Sequence, residues 1–237
     1  YSQKGAIDVT TGATITADGG SYNNAVYAPD NATTVSNSYI NIGTANSSNL
    51  YNTGVNLVKG GVVNSITGSP FDIRSSSSIG IRVKESGTST TVTNNSFYIG
   101  SQTNPVDNSV GVYVAPGEEI IGVSDNSTTS YGSGNTGILV SSHGSGTGSQ
   151  GKASSISGGS HTIYGTNSNG IELDTNENTL IRNTTFSVRG ANSTGLVAGR
   201  TWNTTDPMAQ LTVEGTVFNV SGGNNNATSG IYLDNVT

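Results

Sequence analysis

The stretch GIRV at 80–83 is one of seven near-copies of a single tetrapeptide: glycine, aliphatic, any residue, aliphatic. The others are GVNL (54–57), GVYV (111–114), GILV (137–140), GIEL (170–173), GLVA (195–198) and GIYL (230–233), with AVYA (25–28) as a weaker first copy. Glycine-to-glycine spacings are 26, 31, 26, 33, 25 and 35 residues, so the motif persists while the period varies. That combination places insertions in loops and leaves the strands intact.

A second strand recurs between the copies, apolar on alternate residues and closed by glycine in most cases. It reads INIG (40–43), FDIR (71–74), FYIG (97–100), TIYG (162–165), FSVRG (186–190) and FNVSG (218–222). A lone aliphatic precedes each by about five residues: Val35, Ile66, Val92, Ile156, Ile181 and Val213. The stretch between Gly111 and Gly137 fits least well, with EEIIGV (118–123) as its clearest strand. These strands alternate with period two, and none is apolar enough to build a core alone. Stacked in parallel they pair with the coils above and below and line up their aliphatics in columns. The expected fold is therefore all-β: a right-handed parallel β-helix, a single-stranded pectin-lyase-like solenoid of about eight coils of 25–35 residues. Handedness follows from the crossover rule for parallel strands.

At ~4.8 Å between strands, eight coils make a rod roughly 38 Å long. Its inward columns are expected to start at Val55 and Leu57, with a third through Ile40, Phe71, Phe97, Phe186 and Phe218. Asn-rich turns precede the signature, as in NSVG (108–111), NSNG (167–170) and NSTG (192–195). Asn tolerates left-handed backbone and Gly supplies positive φ, so these read as stacked corners.

Composition agrees with this fold. Of 237 residues, 33 are Gly, 32% are hydrophobic and 10% are charged, with a net charge of −6. Gly, Asn, Ser and Thr are poor helix formers, so long helices are excluded and a thin β core is favoured. There is no cysteine, which removes disulfide and thiol chemistry and points to a bacterial exported chain. No run approaches the ~20 apolar residues of a membrane helix. No basic stripe suits a nucleic acid. Residues 1–237 are expected to form a single β-helix domain cut from a longer stack, since neither end carries a polar cap.

With these motifs in view, the chain resembles the passenger segments of bacterial autotransporter adhesins, proteins of type V secretion. The shared features are a cysteine-free Gly/Ser/Asn/Thr-rich β-helix, irregular 25–35-residue coils, and the G-[IVL]-x-[LVA] and F-x-[IV]-x-G strands. The resemblance implies a secreted or cell-surface virulence factor, exported across the outer membrane. It would bind a host extracellular-matrix protein, receptor or glycan, or another copy of itself, without cofactor, metal or catalysis. The Gly-Asp-Ser-Gly motif of proteolytic members is absent. Two alternatives stay open: a released ligand that signals through a host receptor, and a polysaccharide lyase or hydrolase on the same fold.

The residues offer few sites for chemistry. With Ile171 and Leu173 inward, Glu172 and Asp174 are expected outward on one face, Cα atoms ~7 Å apart. Such a pair would suit an inverting glycoside hydrolase or, with a third oxygen donor, calcium. No cation is stacked beside them, Arg82 being three coils away, so a solvated face is the favoured reading. GTGSQGKA (146–153) resembles a phosphate-binding loop but places Ala153 where Ser or Thr should bind magnesium, with no helix following. His143 and His161 read as packed or corner residues, His161 filling a slot otherwise taken by Phe. The outward column Tyr27, Asn56, Arg82, Tyr113, Leu139, Glu172, Val197, Tyr232 offers a recognition surface, because amphipathic tyrosines and a planar guanidinium suit glycans and proteins. Candidate binding residues are therefore Tyr27, Asn56, Arg82, Tyr113, Glu172, Asp174 and Tyr232, with Trp202 in the 199–210 loop as an alternative element alongside loops 85–91 and 141–155.

Overall fold

A computed structural model describes residues 6–29, 32–44, 50–60, 64–86, 90–141, 151–175, 177–199, 210–222, 227–234 and 236. Among them the strands form three eight-stranded parallel sheets and a two-stranded one, in which each long sheet takes one strand from every coil in order. The third coil is typical, with strands Asn64–Thr67, Pro70–Ile73 and Ile79–Ser86 on the first, second and third sheets. The chain is a right-handed parallel β-helix, as its repeat requires. No helix among the described residues is long and apolar enough to cross a membrane.

Register follows the signature. On the third sheet Val26, Val55, Ile81, Val112, Ile138, Ile171, Leu196 and Ile231 pair in succession, and so do Ala28 through Leu233 two positions on. Both columns are buried until the eighth coil, where Ile231 and Leu233 are exposed. The aromatic column on the second sheet runs Ile15, Ile40, Phe71, Phe97, Thr128, His161, Phe186, Phe218. Phe71 and Phe97 stack at 5.0 Å, Phe186 and Phe218 at 4.9 Å, and His161 lies on Phe186 at 5.3 Å. The weakest stretch of sequence forms two regular strands, Gly122–Ser124 and Ser127–Ser130. Ser127–Ser130 carries Thr128 and Ser130 inward, so the apolar pattern could not reveal it.

The corners differ from expectation in one respect. Left-handed φ sits three residues before Ala25 and before six of the seven signature glycines, at Tyr22, Tyr51, Ser77, Asn108, Gly134, Asn167 and Asn192. The signature glycines themselves have no positive φ. They are glycine because the coils nearly touch there: a Cβ on Gly80 would lie 2.5 Å from the Gly111 carbonyl oxygen and 2.9 Å from the Phe97 ring. The same contact recurs at Gly111, Gly137 and Gly170.

Polar ladders run beside the apolar columns. Inside the corner before the third sheet, each backbone N–H donates to the side-chain oxygen one coil on: Asn23 to Asn52 (2.9 Å), Asn52 to Ser78 (3.2 Å), Ser78 to Ser109 (3.2 Å), Ser109 to Asn135 (2.9 Å), Asn135 to Ser168 (3.1 Å) and Ser168 to Ser193 (3.1 Å). A second ladder, Ser38 to Ser69 to Asn95 to Asn126, lines the corner between the first two sheets. A turn leaves backbone donors that no strand partner reaches, and these side chains satisfy them. The abundance of Ser and Asn is thus partly a structural requirement.

Candidate functional site

The outward column of the third sheet pairs in the order the alternation predicts, Tyr27, Asn56, Arg82, Tyr113, Leu139, Glu172, Val197, Tyr232. Its members are not equally accessible. Asn56 is buried, wedged between Tyr27 and Arg82, and its Nδ2 donates to Asn24 Oδ1 at 2.9 Å. Val197 is buried as well. Asn56 therefore braces the column from a buried position, a correction to the exposed surface expected of it.

The carboxylates also separate. Glu172 is half-buried and accepts from Asn169 Nδ2 at 2.9 Å and Thr136 Oγ1 at 3.5 Å, which ties it to its own sheet. Asp174 is not on the solvent face expected of it: only 7% of its surface is exposed, and its N–H donates to the Val140 carbonyl. The strand ends at Leu173, so the in-out alternation no longer holds one residue later. Glu177 pairs with Lys152 at 3.0 Å, and Lys152 begins the short strand Lys152–Ala153. That strand is the described end of the phosphate-loop-like stretch. Among the described residues no group of three or more His, Asp or Glu side chains is placed to hold a metal ion. Trp202 and His143 lie outside the described residues.

His161 fills its predicted slot in the aromatic column and is 1% exposed. Burial with no charged partner pushes its pKa down to about 4, so the ring is neutral. It packs as a ring and makes no surface for a ligand.

Two shallow grooves lie on the third sheet between the left-handed corner and the outward column. The first, about 300 Å³, is lined by Tyr22, Tyr51, Thr53, Ser77, Ile79, Arg82 and Tyr113, with the buried Asn52 behind. Tyr22 and Tyr51 stack with centroids 5.1 Å apart and planes 13° from parallel. Arg82 belongs to no ion pair among the described residues, and its Nε–H is buried without an acceptor. The second groove, about 390 Å³, is lined mainly by Asn167, Asn169, Asn192, Thr194 and Tyr232. Thus Arg82 and Tyr113 come together in one groove, and Tyr232 faces another. Tyr22 and Tyr51 lie outside every strand pattern of the sequence, at corner positions that hold Asn, Ser or Gly elsewhere. The signal that would have found them is that interruption, since tyrosine at left-handed φ is uncommon.

Elsewhere, Arg74 is held by Asp72, which also accepts from Tyr39 Oη at 3.1 Å. Tyr131 and Tyr164 stack at 4.7 Å, and Arg189 sits over the Tyr164 ring at 5.3 Å. These cations are already partnered, whereas Arg82 has no ion pair among the described residues.

Comparison with protein-family models, curated proteins and solved structures found no match to this chain.

Proposed function

We propose that this chain is the passenger β-helix of a bacterial surface adhesin and that it acts by binding, without catalysis. The observation that carries the reading is the groove that brings together a tyrosine stack, Tyr113 and an Arg82 with no ion pair among the described residues. Arg82 and Tyr113 stand on regular strands and Tyr22 and Tyr51 hold each other by stacking, so little side-chain entropy is lost when a glycan or protein docks. The repeat grammar and absence of cysteine support export to the cell exterior, secreted or surface-held. The lyase or hydrolase alternative draws no support from the carboxylates, because Asp174 is buried and Glu172 is bonded to Asn169.

A glycan and extracellular-matrix array probed with the purified chain tests this reading, with bead aggregation as a check for self-association. Saturable binding to at least one ligand class is expected. Depolymerisation of a polysaccharide that Glu172→Gln abolishes, with no binding elsewhere, would replace the adhesin by an enzyme. Receptor signalling by soluble chain, without attachment, would favour a released ligand.

A further inference from the structure

The corner column loses its rings abruptly. Tyr22 and Tyr51 occupy it in the first two coils, and Ser77 and Asn108 follow at the same left-handed position. The two rings are stacked nearly parallel, so one face of Tyr51 is covered by Tyr22 and the other looks toward the third coil, above the small Ser77. Across the groove stands Arg82, with Tyr113 one coil beyond, and Thr53 and Ile79 lie between the two walls. The site spans four coils, roughly 14 Å along the axis.

We propose that this groove binds an acidic saccharide, with a sugar ring against the open face of Tyr51 and a carboxylate or sulfate group on Arg82. The inference rests on the binding reading above and names the ligand chemistry of that site. A pyranose presents a face of C–H groups that packs on an aromatic ring, while its edge carries hydroxyls that suit Ser77 and the tyrosine Oη atoms. The volume of about 300 Å³ lies at the small end for ligand sites and suits a mono- or disaccharide. Charge fixes the class. The protein carries a net −6, which disfavours anions over the molecule as a whole, yet Arg82 faces this groove without a counter-ion among the described residues. A planar guanidinium takes two oxygens of a carboxylate or sulfate at once, which a neutral sugar cannot offer.

The test is calorimetric titration of the purified chain with four probes: sialyllactose, a sulfated heparin disaccharide, lactose and an Asp/Glu-rich peptide. At least one acidic saccharide is expected to bind about tenfold or more tighter than lactose, the difference expected of a charge-assisted pair. The two acidic probes separate a carboxylate from a sulfate. Arg82→Gln should remove that advantage with an unchanged melting temperature. Ser77→Tyr should abolish binding by closing the open face of Tyr51, and it is a substitution the corner accepts, since tyrosine already sits there at φ 65° and 63° in two coils. Equal binding of lactose, binding of the peptide alone, or acidic binding indifferent to both substitutions overturns the proposal while leaving a binding protein. Absence of any ligand on these probes and on the wider array removes both.

Discussion

Gly111 illustrates what a single position must satisfy in this fold. A Cβ there would meet the Gly137 carbonyl oxygen at 2.5 Å and the Phe97 ring at 3.1 Å. Gly111→Ala must push two coils apart, and a loss of about 3 kcal/mol, the upper part of the overpacking range, is expected in urea unfolding. Gly122→Ala is the control, because its Cβ meets only the Thr91 methyl at 3.7 Å, and it should be neutral or stabilise by about 0.5 kcal/mol. His161 gives a pH dependence at the same scale. Its folded pKa of about 4 lies below the ordinary 6.5, so the unfolded chain binds a proton that the fold excludes. Stability is full above pH ~6.5, falls between ~6.5 and ~4, and levels off below, with a total loss of roughly 3 kcal/mol. His161→Phe should remove that slope, as Phe fills the same column in the next two coils. Melting temperatures at pH 7 and 5 check this.

At the scale of the element, corner ladders matter as much as apolar columns. Asn135 accepts from the Ser109 N–H at 2.9 Å and donates to the Val106 and Tyr131 carbonyls at 2.8 and 3.0 Å, all within the wall. Asn135→Ala leaves the Ser109 N–H and the Val106 carbonyl unpaired, the Tyr131 carbonyl keeping the Val106 N–H, and should cost about 3 kcal/mol, whereas Asn135→Ser keeps the acceptor and should cost about half as much. Ser109 and Ser168 already hold this position in the adjacent coils, which is why serine is the milder change. Equal losses for both substitutions in chemical denaturation would show that the ladder contributes no more than packing. Periodicity in the sequence located the strands well, because columns of Val, Ile and Phe announce themselves. It assigned the corners less well, since Asn and Ser read as turn residues whether they point in or out. Only the paired N–H and Oδ1 atoms distinguish the two.

For the whole molecule, each coil touches only its neighbours, so stability is a sum of coil and interface terms. The eighth coil exposes Val220, Ile231 and Leu233, while the matching positions in the central coils are covered. Hydrogen exchange should therefore be at least about tenfold faster in Leu211–Glu214, Val217–Val220 and Ser229–Leu233 than in the third to sixth coils. Uniform protection along the rod would instead indicate all-or-none unfolding. The groove belongs to this scale too. Tyr22, Tyr51, Arg82 and Tyr113 come from four successive coils, and each is an ordinary residue on its own strand or corner.

What the sequence determined by itself was the coil: spacing of the glycines, alternation of the aliphatics and scarcity of charge leave few folds other than a parallel solenoid. It also placed Arg82, Tyr113 and Tyr232 on one outward column, because strand alternation is a local rule. What only the tertiary structure decided was which of those residues reach a common space. Asn56 sank into the wall beside Asn24, and Asp174 turned under the end of its strand, both through contacts made by other coils. Tyr22 and Tyr51 meet because coiling brings residues 29 positions apart onto neighbouring coils, and Arg82, 31 positions beyond Tyr51, lines the opposite wall of the same groove, a proximity that no local pattern encodes.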